Sequence, residues 1–166
     1  HNLATMKLAR DGLQRELLSQ SNDLAGLTRS LIESRRALQA SEHRWWAIYE
    51  HAPVGIALID ERGGFQAANP AFRTMVGYTG DELMALQLPR VTPVEDRAAT
   101  QRRLAGLLHG ETDTHHVQRR FQRKDGAIVW AITSVSLVPG APGDERLLVL
   151  VAADITEQRH AEQSLT

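Results

Sequence analysis

The chain has 166 residues and no cysteine, enough for one compact domain plus extra chain. Without cysteine it can form no disulfide, thiolate zinc site, iron–sulfur cluster, thioether-linked haem or cysteine-adduct chromophore. Nineteen Lys plus Arg against twenty Asp plus Glu leave a net charge of −1, which argues against nucleic-acid binding.

The chain opens on His1 rather than Met and ends on Thr166 within a helical pattern, so it reads as an excised piece of a longer protein. The absence of cysteine fits a reducing, cytoplasmic setting. The longest apolar run, Leu147 to Ala153, is far shorter than the roughly 20 residues a membrane helix needs, so no membrane contact is expected.

Residues 2 to 43 contain no proline and place Leu17, Leu24, Leu31 and Leu38 seven apart, extending to Leu3 upstream and Trp45 downstream. With these at position a, the d positions are Met6, Leu13, Gln20, Leu27, Ser34 and Ser41, half of them apolar, and Arg10 interrupts the a row. A helix of about 40 residues is about 60 Å long and cannot bury such a stripe against itself. A parallel homodimer whose seam includes Leu17, Leu24, Leu27, Leu31, Leu38 and Trp45 is the expected arrangement. Packing on the chain's own domain is the other reading.

From Ser41 the register shifts. Trp45, Ile48, Tyr49 and Ala52 form one apolar face, ended by Pro53, which reads as a short amphipathic lid helix. Strand-like runs Val54 to Asp60 and Phe65 to Ala68 follow, joined by Glu61-Arg62-Gly63-Gly64 as a hairpin turn.

Three helix starts come next. Asn69-Pro70 places a side-chain acceptor at the N-cap and a residue without N–H at the first helical position. Thr79-Gly80-Asp81-Glu82 is a capping box. Thr92-Pro93-Val94-Glu95 combines a second capping box with Pro in the first turn, and Leu104, Leu107 and Leu108 give that third helix a buried face ending near Gly110.

The chain then returns to strands, over His115 to Arg123, Ile128 to Val138 and Arg146 to Ala153, with Pro139 to Asp144 as a Gly/Pro loop. Asp154-Ile155-Thr156 leads into a polar helix over Glu157 to Leu165. Two strands, helices, three strands and a final helix make an α+β order.

Over roughly Ser41 to Leu165 these residues resemble a PAS sensor domain of a bacterial signalling protein. The resemblance rests on His51-Ala52-Pro53-Val54-Gly55-Ile56, Asn69-Pro70-Ala71-Phe72, Gly77-Tyr78-Thr79 with Glu82-Leu83, Arg123-Lys124-Asp125-Gly126 with Trp130, and Asp154-Ile155-Thr156-Glu157, in the family's order. It implies a five-stranded antiparallel sheet in the order 2-1-5-4-3, with short helices across one face enclosing a small pocket. The expected organisation is a long, dimeric helix over 1–40, the sensor domain with its lid over 41–153, and the start of an output helix over 154–166. In place of the family's His-Pro-x-Asp before the third helix stands Thr92-Pro93-Val94-Glu95-Asp96. Trp46 stands where a charged residue is common, and reads either as a partner-helix contact or as an ordinary exposed aromatic.

Which side chains face the pocket depends on strand register. Lys124-Asp125-Gly126 as a three-residue loop pairs Arg123 with Ala127, Phe121 with Val129 and Val117 with Thr133; a two-residue Asp-Gly turn would invert the faces. On the first register Val117, Arg119, Phe121, Val129, Ala131, Thr133, Val135 and Leu137 share the more apolar face, opposite Trp130, Ile132, Gln118 and Arg120. With Phe72, Met75, Leu104 and Leu108 from the helices, all but Leu137 are the candidate pocket residues. Arg119 is the one guanidinium on that face. It needs an internal Asp or Glu, a path to water, or the planar anion of a carboxylate or phosphate ligand.

No cofactor is required by the sequence. The absent cysteine excludes the cysteinyl-flavin type, while non-covalent flavin stays open. Haem-binding members take an axial His from the early third helix, and Glu95 to Leu108 contains none. His115 and His116, adjacent on a strand, point to opposite faces and cannot chelate a metal together. There is no Gly-rich phosphate loop, Gly-x-Ser-x-Gly elbow or His-Glu-x-x-His pair, and His51, His109 and His160 read as ordinary histidines, so no catalytic residue is nominated. The expected function is sensing of a small molecule or partner, relayed through Asp154, Ile155 and Thr156 into the last helix. The rival is a ligand-free dimerisation spacer. A histidine-kinase or cyclic-di-GMP output would lie outside the chain.

Overall fold

The computed structural model describes residues 2–111, 116–138 and 146–165. The chain divides into two compact units, His1–Ala47 and Ile48–Thr166. The first lies within one helix, α1 (Asn2–His51), where Leu17, Leu24, Leu27, Leu31 and Leu38 are each about 60% exposed. The expected boundary at residue 40 falls inside α1. Nothing between residues 27 and 52 is Gly or Pro, so no backbone feature breaks the helix where the apolar pattern shifts. The lid is therefore the last turns of α1 and not a separate element. Of its apolar face, Trp45 and Ile48 are 54% and 62% exposed, and Tyr49 is the buried member.

The second unit carries β1 (Gly55–Asp60), β2 (Phe65–Ala68), α2 (Pro70–Val76), α3 (Gly80–Met84), two single 3₁₀ turns (Leu88–Val91 and Val94–Asp96), α4 (Arg97–Leu108), β3 (Val117–Gln122), β4 (Ile128–Leu137), β5 (Leu147–Asp154) and α5 (Thr156–Ser164). The five strands form one antiparallel sheet in the order β2-β1-β5-β4-β3, as expected from the resemblance. The expected strand residue His115 and the Pro139 to Asp144 loop lie outside the described residues.

Local chemistry explains most boundaries. The Asp60 carboxylate accepts from the Arg62 and Gly64 amides, both at 2.8 Å, and closes the first hairpin. Asn69 caps α2, and Thr79 with Glu82 forms the capping box of α3. The second hairpin closes as a three-residue loop: Arg123 N–H donates to Ala127 O at 2.8 Å, Gly126 N–H to Arg123 O at 3.0 Å, and Gly126 takes φ +90°. Val117 therefore pairs with Thr133 and Phe121 with Val129.

The start of α4 differs from expectation. Thr92 does not cap it: its hydroxyl donates back to Leu88 O at 2.8 Å and is buried at the end of the first 3₁₀ turn. The chain makes a second 3₁₀ turn before α4 begins at Arg97, without a side-chain cap. A buried hydroxyl takes the nearest free carbonyl, and here that carbonyl precedes it.

The core lies between the sheet and α2, α3 and α4. Phe65, Phe72 and Phe121 form a chain of rings with centroids 5.7 Å apart at each step, the second pair edge to face. Ala57, Ile59, Leu148, Leu150, Val129 and Ala131 complete the layer from the strands. A Cβ on Gly55 would stand 3.1 Å from Phe72, so this glycine lets α2 lie directly on β1.

Candidate functional site

Alternation along β3 and β4 sends Phe121, Val129, Ala131 and Thr133 into the helix-covered face. Toward the β3 edge that face and α4 diverge, leaving a cleft of about 460 Å³. Of the expected pocket residues, Leu104, Val117, Arg119, Thr133 and Val135 line it. Phe72, Met75, Phe121, Val129 and Ala131 do not: they are packed core, because the ring stack fills the space beneath α2. Leu108 packs against that core from its margin.

The rest of the wall comes from Ala99, Thr100, Arg102, Arg103, Gly106, Leu107 and Glu111. Reading α4 by its leucines alone missed all of these but Leu107. Ala99, Arg103 and Gly106 sit at i, i+4 and i+7, a helical stripe marked by small size and charge instead of by apolarity.

Arg119 sits deep in this cleft. Its Nη2 donates to Thr100 Oγ1 at 3.2 Å, the guanidinium carbon lies 4.8 Å from the Phe121 ring centre, and Nε is buried without a hydrogen-bond partner among the described residues. Burial, reinforced by the nearby Arg103 charge and opposed by Asp96, pulls its pKa down to about 10. Of the three ways to satisfy Arg119, an internal carboxylate partner is absent among the described residues. Asp96 is taken by Arg120, the next residue along β3 and on the opposite face, in a two-bond fork of 2.9 Å each. Those hydrogen bonds hold the Asp96 carboxyl below its usual pKa. Among the described residues no three His, Cys, Asp or Glu lie close enough together to hold a metal.

The other face of β4 receives the C-terminal junction. Ile155 N–H donates to Trp130 O at 2.8 Å, and Trp130 N–H donates to Thr156 Oγ1 at 3.0 Å. Asp154 Oδ1 accepts from the Thr156 amide at 2.8 Å. Ile155 occupies the N-cap position of α5 without a side-chain cap, and the Thr156 hydroxyl ties α5 sideways to the sheet. One turn on, the Arg159 guanidinium stacks 3.7 Å from the Trp130 ring centre and donates to Gln118 Oε1 at 2.8 Å. Arg159 was not a sequence candidate, since its contact depends on β3 and β4 lying beneath α5.

A curved antiparallel sheet roofed by short helices, with a cleft on one face and a helical exit clamped to the other, defines a sensory domain of the signal-transduction class. The chain belongs to the PAS family, whose PAS fold model matches residues 44–155. It is 39% identical over 171 residues to the sensor histidine kinase TmoS of Ectopseudomonas mendocina, an alignment covering 99% of this chain and 18% of that protein. Over 147 residues it is 26% identical to the probable diguanylate cyclase DgcE of Escherichia coli (strain K12), covering 89% of this chain and 13% of that one. A domain of a sensory box sensor histidine kinase/response regulator from Geobacter sulfurreducens superposes with a TM-score of 0.61 at 25% identity, over 70% of this chain and 96% of that domain. The chain thus spans less than a fifth of the curated relatives named here. No helix among the described residues is long and apolar enough to cross a membrane.

Proposed function

We propose that this PAS module is the input and relay element of a larger cytoplasmic signalling protein: occupancy of the α4 cleft shifts β4, and β4 shifts α5. The observation that carries this is the double duty of one strand. β4 lines the cleft with Thr133 and Val135, and it holds the exit helix through both backbone groups of Trp130 and through its indole ring. A displacement of β4 therefore reaches α5 without an intervening flexible segment. The relatives are named as a sensor histidine kinase and a probable diguanylate cyclase, and an output of that kind downstream of α5 fits this polarity. Asp154, Ile155 and Thr156 are the relay residues, and the wall of the cleft is the ligand site. No group in the cleft is assigned a catalytic role.

The heptad leucines of α1 would hold two such modules side by side, so that a ligand-driven shift in one α5 is read against its partner. The relay is tested by amide hydrogen exchange. Asp154→Ala removes the acceptor that fixes the Thr156 amide, so α5 should exchange faster while β4 and β5 stay protected. Unchanged α5 exchange, or loss of protection across the whole sheet, contradicts a relay at this junction.

A further inference from the structure

We propose that the α4 cleft binds a small organic carboxylate with an apolar body, its carboxylate held by Arg119 and Thr100. This rests on the reading of the cleft as the input site and names the chemistry it accepts.

The Arg119 guanidinium carries an unfilled hydrogen bond. Arg119 Nε is buried and finds no acceptor among the described residues, an expensive arrangement for a guanidinium. The acid whose charge reaches it, Asp96, is already committed to Arg120 by two bonds of 2.9 Å. Thr100 is buried and uses its oxygen to accept from Arg119, which leaves its own O–H available to donate in the same direction. Arg102 and Arg103 line the cleft as well, and among the described residues the exposed Glu111 is the one carboxylate in its wall, so the cleft favours an anion. A planar carboxylate matches the guanidinium fork. Away from these donors the walls are Leu104, Leu107, Val117 and Val135, which suit a hydrocarbon tail. The volume of about 460 Å³ is in the range of small-molecule sites.

Isothermal titration calorimetry on the 166-residue chain, with octanoate, 1-octanol and inorganic phosphate as probes, tests this. Octanoate should bind saturably at one site per chain, 1-octanol at least about tenfold more weakly, and phosphate not at all over the same concentrations. Arg119→Gln should weaken octanoate by about tenfold or more and leave 1-octanol unchanged, with Arg119→Lys between. Thermal melts establish that each variant folds. Should Arg119→Gln fail to fold, Val135→Trp, which fills the apolar wall and keeps the guanidinium, must abolish octanoate binding. Equal affinity for octanoate and 1-octanol, no octanoate binding, phosphate binding alone, or octanoate binding that survives Arg119→Gln or Val135→Trp each overturns the proposal. Octanoate binding that leaves α5 hydrogen exchange unaltered would instead count against the relay and leave the carboxylate site standing.

Discussion

Asn69 uses its whole side-chain amide. Nδ2 donates to Tyr49 O and Val54 O at 2.9 and 3.0 Å, and Oδ1 accepts from the Ile56 and Phe72 amides at 2.8 and 3.0 Å. One fully buried residue thereby fixes the last turn of α1, the approach to β1 and the start of α2. The capping bond to Phe72 was legible from Asn-Pro, but the other three join segments that only folding brings together. Asn69→Ala should destabilise by about 3 kcal/mol or more, since it strands several buried backbone groups at once. Asn69→Asp should fare little better, because two carbonyls would then face a carboxylate. Chemical denaturation of both variants checks this, and a loss under about 1 kcal/mol would contradict it. Arg119 shows the same divide. Alternation placed it on the apolar face, yet whether an acid waited there was invisible until Asp96 was seen on Arg120.

At the scale of elements, the short-range signals that were right share a property: every atom they need lies within four residues. The Thr79–Glu82 box and the Lys124-Asp125-Gly126 loop are complete in the local chain. The Thr92 box was wrong because a competing carbonyl, Leu88 O, reached the hydroxyl first. The element after it is secured from outside, where Arg120 of β3 grips Asp96 at the foot of α4. That tie carries a pH dependence. Asp96 has a lowered pKa in the fold, so its contribution is complete above the ordinary carboxylate value of about 4 and is lost as pH falls through the lowered native value. Glu82, held low by the Lys124 hydrogen bond, adds in the same direction. Melting temperature should therefore fall on acidification below about pH 4, and Asp96→Asn should flatten part of that slope. An unchanged acid slope in Asp96→Asn would show that the pair is energetically idle, as many partly exposed ion pairs are.

For the whole molecule, the α1 leucines make the strongest statement. Rows of leucine about 60% exposed at seven-residue spacing are the surface a second copy would cover. Light scattering on the intact chain should give a dimer, and Leu24→Glu with Leu31→Glu should give a monomer whose sheet remains folded by circular dichroism. A monomeric wild type, or a double variant that stays dimeric, would remove the coiled-coil reading. The order of strands and helices, the turn that sets the β3–β4 register and the helical entry and exit were written in the sequence. Each depends on periodicity, a cap or a turn, all of them nearest-neighbour effects. Only the tertiary structure decided which pocket candidates were core and which were cleft, which acid served which arginine, and that Trp130 clamps α5. Those outcomes turn on how far α4 stands from the sheet and on contacts between residues tens of positions apart, and no local pattern encodes such distances.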